Sequence, residues 1–259
     1  MTGWASPLLA AQAEYLGHLG TAPPAEVREA PGLYAVRTGA ASNTENGVVG
    51  TAAASEEAAV LVEWFRSTGT PASWLCQDSS LAATLGAAGC SPERGACEMS
   101  VRLAELDLGG TTARGLDVVR VESEGAVGTW FDLAAANRWF ADSDERAPFE
   151  RLYRELALRA DARVVLYLAR LDDEPAGFAS AFYGSSSVLL TNVAVLPAAR
   201  RRGVATELAR VRLREAARRG CEVAVLAPSP DAVPLYTSLG FALHRSPPDR
   251  WYYLPGERS

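Results

Sequence analysis

Lysine is absent from the 259 residues, so all 25 basic side chains are arginine, a bias to which we attach no mechanism. Histidine occurs only at His18 and His244, and the four cysteines, Cys76, Cys90, Cys97 and Cys221, form no C-x-x-C pair. That scarcity leaves no metal-ligand constellation, so no metal is expected and the thiols read as reduced and buried. Long apolar runs are missing too: no stretch reaches the ~18 residues of a membrane span, and no basic segment followed by a continuous apolar run opens the chain. A cytoplasmic protein without a membrane partner is the expectation. The net charge of −6 argues against a general nucleic-acid binder, although a local arginine cluster can still hold one phosphorylated ligand.

What is present is ordinary for a folded protein: 48% apolar and 22% charged residues, with enough length for one large domain or two of about 125 residues. Charge is uneven. Through Gly115 there are six arginines against twelve acids, and from Leu116 onward nineteen against nineteen. The turn-rich stretch Leu108-Gly109-Gly110-Thr111-Thr112-Ala113-Arg114-Gly115 lacks periodicity and reads as a linker between domains at 1–110 and 117–259.

The most informative stretch joins a strand to a helix. Residues 187–196 read as a buried strand through Val188, Leu189, Leu190, Val193 and Val195, stopped by Pro197. Downstream, Val204, Ala205, Leu208, Ala209, Leu213, Ala216 and Ala217 recur at helical spacing, with Arg210, Arg214 and Arg218 along another side and Gly220 closing the helix. Between them lie Arg200, Arg201, Arg202 and Gly203, and the helix carries no acid before Glu207. Free N–H groups and the helix dipole make such an end an anion site, and Gly203 lets the anion approach the backbone.

The spacing Arg200-x-x-Gly203-x-Ala205 resembles the Arg/Gln-x-x-Gly-x-Gly/Ala signature of the GNAT superfamily of N-acetyltransferases. Some thirty residues on, after the strand at Glu222 to Ala227, Ala232-x-x-Leu235-Tyr236-x-x-Leu239-Gly240-Phe241 resembles that family's second segment. The resemblance implies a layered α/β fold built on a mixed, mostly antiparallel sheet flanked by helices, with acetyl-CoA as acyl donor. It assigns the diphosphate of coenzyme A to the loop from Arg200 through Arg201, Arg202, Gly203, Val204, Ala205 and Thr206. The pantetheine arm is implied to lie along Val193, Ala194 and Val195. Arg201 stands where many members have glycine, and Ser229, also a candidate cofactor contact, where many have asparagine.

The first half repeats this order weakly. Residues 32–37 and 47–51 read as a hairpin, followed by a helix from Ser55 to about Ser67, a strand at 73–76, a helix at 79–88 and a strand at 96–103. Leu85-Gly86-Ala87-Ala88-Gly89-Cys90 falls where Tyr236 to Phe241 falls later. Glu56 and Glu57 would repel a diphosphate and no glycine signature precedes them, so a degenerate acetyltransferase domain without cofactor is expected, one fold in two copies.

Chemically, the resemblance implies acetyl transfer to an amine, here the primary amine of a small molecule. Tyr236 matches the family's tyrosine near the sulfur; a phenol is a weaker acid than a thiol, which favours a hydrogen bond to the leaving sulfur over full early proton transfer. No carboxylate sits on the central strand, where Thr191 and Asn192 stand, so the base is a water held by Thr191 or Asn192, or an acid such as Asp142 or Glu145. Aromatics between 129 and 160 (Trp130, Phe131, Trp139, Phe140, Phe149, Tyr153) read as core or lid packing. The alternative function is a non-catalytic acyl-CoA-binding regulatory module; a tRNA-dependent transferase fits the acidic charge poorly. A monomer or homodimer is expected.

Overall fold

The computed structural model describes residues 6–50, 55–76, 81–92, 97–109, 112–245 and 251–256. The sequence readings at Thr51, Ser79, Ala96, Gly110, Thr111 and Arg250 lie outside the described residues. Contacts divide the chain into two compact units, one formed by Met1–Glu98 with His244–Ser259, the other by Met99–Leu243.

The first unit opens with α1 (Pro7–Leu19), which starts where the Ser6 hydroxyl accepts from the Leu9 N–H and buries Leu8, Leu9, Ala13 and Leu16 as their spacing predicts. Then come β1 (Glu26–Ala30), β2 (Leu33–Arg37), β3 (Gly47–Gly50), α2 (Ser55–Arg66), β4 (Ala72–Cys76), α3 (Ala82–Ala87) and β5 (Ser91–Pro92). The hairpin of β2 and β3 forms as read, Leu33 opposite Gly50. The strand β1 escaped the sequence reading because most of its residues, Glu26 to Glu29, are exposed and offer no apolar alternation.

The chain continues through β6 (Cys97–Arg102), β7 (Leu116–Arg120), α4 (Glu124–Ala136), α5 (Ser143–Ala157), β8 (Val164–Leu171), β9 (Glu174–Tyr183), β10 (Ser187–Val195), α6 (Val204–Arg218), β11 (Val223–Leu226), α7 (Val233–Ser238), β12 (Ala242–Arg245) and β13 (Trp251–Leu254). The hairpin of β8 and β9 closes through Asp172 and Asp173, both at positive φ (55° and 66°), the two-residue geometry whose twist matches the strands.

Two sheets result, both mostly antiparallel and flanked by helices. The six-stranded sheet has the order β1-β2-β3-β4-β13-β5, the seven-stranded one β12-β6-β11-β10-β9-β8-β7. Each contains a parallel pair bridged by a helix, β3–α2–β4 in one and β10–α6–β11 in the other. Beside the second strand of each pair lies an antiparallel strand drawn from the other half of the sequence: β13 on β4, β6 on β11. The weak repeat is therefore real topology, with the last strand of each half exchanged. The linker expected at 108–115 falls within the second unit, and the chain crosses between units at residues 98–99 and 243–244. Alternation identifies a strand without naming its partner.

The core of the second unit packs Leu208, Ala209, Leu213 and Ala216 of α6 against Val165, Ala169, Ala179, Ala181, Val188 and Leu190 of the sheet. A second layer is aromatic. A Schellman turn ends α4, with Arg138 at φ 59° and the N–H groups of Arg138 and Trp139 donating to Ala135 and Ala134 carbonyls. That turn delivers Trp139 onto Trp130 and Phe178, with ring centroids 6.0 and 4.8 Å apart. The Trp130 Nε1 donates to the Ala179 carbonyl at 3.0 Å, so the buried indole is satisfied.

Candidate active site

The site is built by a failure of pairing. Strands β10 and β11 run parallel, but only Ser187, Val188 and Leu189 find partners, at Val223, Ala224 and Val225. Beyond Leu189, β10 continues to Val195 against β9 alone, while the chain after β11 turns away through a single helical turn at Pro230–Ala232 into α7. Residues 190–195 thus have a strand on one edge and, among the described residues, none on the other. Backbone groups alternate between the two edges of a strand, so part of this segment's N–H and C=O set faces the gap. A bulge enlarges it: Thr191 lies opposite Ser180 and Ala194 opposite Phe178, one residue more on β10 than on β9. Asn192 takes φ 51° there. Gly177 makes the crowding possible, since a Cβ on it would lie 2.7 Å from the Ala194 carbonyl oxygen.

At the end of the gap the chain makes the loop to α6. Arg201 (φ 62°) and Gly203 (φ 83°) both adopt the left-handed region, and Gly203 caps α6 without any side-chain hydrogen bond. The first N–H groups of the helix, at Val204, Ala205 and Thr206, are left for an external acceptor. A Cβ on Gly203 would meet only Ala113, at 3.9 Å; the glycine is demanded by its backbone angle, and the space before it is open. Glu207 sits in the first turn but is 4% exposed and turned inward, ion-paired with Arg214 at 2.9 Å, so its charge does not oppose an anion. Arg200 and Arg202 are exposed; Arg200 Nε reaches the Val195 carbonyl at 3.3 Å, and Arg202 pairs with Asp172 at 2.9 Å. Arg201 is exposed as well.

Tyr236 lies on α7, 1% exposed, its ring set edge-on to Phe241 at 5.4 Å. Its hydroxyl has no hydrogen-bond partner among the described residues, and it shares a core cluster with Val193 and Val195. Ser229 is exposed just past β11. On the aromatic side, Asn192 Nδ2 donates to the Tyr153 hydroxyl at 2.6 Å. Asp142 and Glu145 are otherwise employed: Asp142 Oδ1 accepts from the Asp144 and Glu145 N–H groups, and Glu145 Oε2 from the Ala141 N–H, the reciprocal cap that starts α5.

Val193 and Val195 of the strand pack against the core cluster that contains Tyr236, while the bulge between Thr191 and Ala194 has no signal in the sequence reading. Two residues escaped it. The sequence groups Tyr153 with packing aromatics, and nothing local reveals its bond to Asn192. Arg212 stands four residues from Leu208 and four from Ala216 on the apolar stripe, where an arginine is itself a signal. Among the described residues there is no group of three metal-ligating side chains, and no helix is long and apolar enough to cross a membrane.

Residues 130–241 match the family described as "Acetyltransferase (GNAT) family". No curated protein matches the chain significantly. Solved structures do: a GCN5-related N-acetyltransferase from Kribbella flavida superposes with a TM-score of 0.68 at 16% identity, covering 98% of this chain and 97% of its own. A tandem GNAT protein from the clavulanic acid biosynthesis pathway gives 0.58 at 16% identity, covering 96% of each. At such identities the structures speak for the fold alone. The residues that build the gap, the loop and α7 all fall within the segment that matches the GNAT acetyltransferase family.

Proposed function

We propose that the protein is an acetyl-CoA-dependent N-acetyltransferase that acts on the primary amine of a small molecule by direct transfer, with its one working site between β10 and α7. The observation that carries this reading is the unpaired edge of residues 190–195 leading into an uncapped helix N-terminus at Gly203. Acetyl-CoA, when bound, supplies an acetyl group held as a thioester. Residues suited to hold it are present: uncapped N–H groups at Val204, Ala205 and Thr206 face an open space for the diphosphate, with Arg200 to Arg202 around it. Val193 and Val195 present backbone donors and acceptors as a neighbouring strand would, and an N–H on that edge can polarise a carbonyl oxygen. Tyr236 offers an unengaged hydroxyl as hydrogen-bond donor to a departing sulfur.

Transfer forms a C–N bond, breaks a C–S bond, and moves one proton from the amine to solvent and one to the thiolate. The Asn192–Tyr153 pair stands where a water can accept from the amine. Without a carboxylate base the neutral fraction of the acceptor matters. An amine of pKa ~10.4 is about one part in 2500 neutral at pH 7, costing roughly 4.6 kcal/mol, and one of pKa ~8 costs about 1.4 kcal/mol. Weakly basic amines are therefore the favoured acceptors. The engagement of Asp142 and Glu145 in the α5 cap favours, as the second reading, a non-catalytic acyl-CoA-binding module.

Isothermal titration of acetyl-CoA, followed by an amine screen sorted by pKa, tests both. Binding at one per chain with turnover supports the enzyme. Binding with no amine turned over leaves the binding module. No binding overturns both.

A further inference from the structure

Arg212 is 0% exposed. Its Nε donates to the Leu208 carbonyl at 2.8 Å, and its Nη1 donates to two carbonyls at once, Ser180 at 3.0 Å and Thr191 at 3.3 Å. The remaining nitrogen, Nη2, is buried with no partner among the described residues, and no carboxylate there pairs with the guanidinium. An apolar side chain of similar volume would pack this position at lower cost, because a buried charge without a counter-ion is expensive. Core packing therefore does not account for an arginine here.

What the guanidinium reaches does account for it. Ser180 and Thr191 are the last facing pair before β9 and β10 slip register. A bulge deprives ladder carbonyls of their N–H partners, and buried carbonyls need donors. Nη1 supplies them across both strands. The other face of the same point is tied as well: Thr191 Oγ1 meets Ser180 Oγ at 2.7 Å, and Asn192, at φ 51°, donates to Tyr153 at 2.6 Å. Arg212 is itself anchored, its carbonyl accepting from the Tyr183 hydroxyl at 3.3 Å, which also bonds to that of Tyr167. Burial raises both phenols, so both stay protonated.

We propose that Arg212 is a positioning residue: its guanidinium replaces the missing ladder donors at the bulge and so keeps residues 190–195 turned from β11, their free backbone edge available to the acyl donor. The first part stands on geometry alone; the second rests on the acetyltransferase reading.

The test compares the wild-type chain with Arg212→Met and Arg212→Lys, with folding followed by circular dichroism. In the free protein, hydrogen exchange over residues 190–196 is expected to change at least about tenfold in Arg212→Met, as befits the loss of buried hydrogen bonds. Affinity and KM for acetyl-CoA should weaken by about tenfold or more while KM for the amine stays within about twofold, with Arg212→Lys between the two. A folded Arg212→Met with unchanged exchange and affinity overturns the proposal. If Arg212→Met does not fold, Arg212→Lys decides: intermediate exchange and affinity uphold it, wild-type values overturn it, and loss of folding in both makes Arg212 a general core residue and overturns it too. A wild-type chain that binds no acetyl-CoA, with exchange altered in the variant, upholds the positioning role and removes the acetyltransferase reading instead.

Discussion

The two parallel strand pairs of this chain began from one plan and ended differently. In the six-stranded sheet, every residue of β3 pairs with β4, from Gly47 opposite Ser73 to Gly50 opposite Cys76. In the seven-stranded sheet only three rungs join β10 to β11, and the rest of β10 stands free on that side. The closed pair is held close by glycine: a Cβ on Gly47 would lie 2.8 Å from the Ser73 carbonyl oxygen. The open pair carries a bulge with Arg212 behind it. The helix that bridges the closed pair brings Glu56 and Glu57 to its first turn, whereas the helix that bridges the open pair turns its acid inward onto Arg214. On the proposed reading the site is a strand edge left unpaired, whereas β3 pairs with β4 along its whole length.

The sharpest way to break that comparison is at Gly203. Gly203→Glu sets a carboxylate at the uncapped end of α6, and acetyl-CoA affinity is expected to fall by about a hundredfold or more in titration calorimetry, since a like charge replaces backbone access. Gly203→Ala separates strain from charge, because at φ 83° it costs about 1–2 kcal/mol of stability. Retained affinity in the glutamate variant removes the loop from the site. Tyr236→Phe comes next: kcat is expected to drop about 10- to 100-fold with little change in KM for acetyl-CoA or in melting temperature, the pattern of a group used in the transition state. Unchanged kcat makes Tyr236 a packing residue like its counterpart in the first half, Leu85.

A smaller effect tests the closed pair. Gly47→Ala forces a methyl against a backbone carbonyl and is expected to lower stability to denaturant by about 1–3 kcal/mol without altering acetyl-CoA binding. A neutral result means the strands of the first unit can yield, and close packing is not what shut the gap. The smallest concerns Cys90, whose thiol burial pushes up to about 11, against a weaker lowering by Arg66. At pH 8 about one part in a thousand is thiolate, so a disulfide reagent should modify it only as the first unit opens. Fast labelling in the native protein shows a looser unit than its pairing implies.

The fold was legible in outline because its signals are local. Proline, glycine and apolar spacing mark the strand, loop and helix between Ser187 and Gly220, and the positive φ at Gly203 is a demand the sequence states openly. The uncapped end of α6 follows from the same few residues. Other features depend on partners far along the chain. That β6 and β13 change sheets is decided by which edge each strand meets, and β1 takes its place by pairing with β2 despite an exposed, charged face. The bond of Asn192 to Tyr153, the inward turn of Glu207 and the carbonyls that Arg212 satisfies exist only once α5, α6 and the sheet are assembled. Sequence alone determined where the chain turns, caps and offers bare backbone, since those are properties of neighbours. Tertiary structure decided which edge stays open and what holds it, since pairing and burial are settled between residues that the sequence keeps apart.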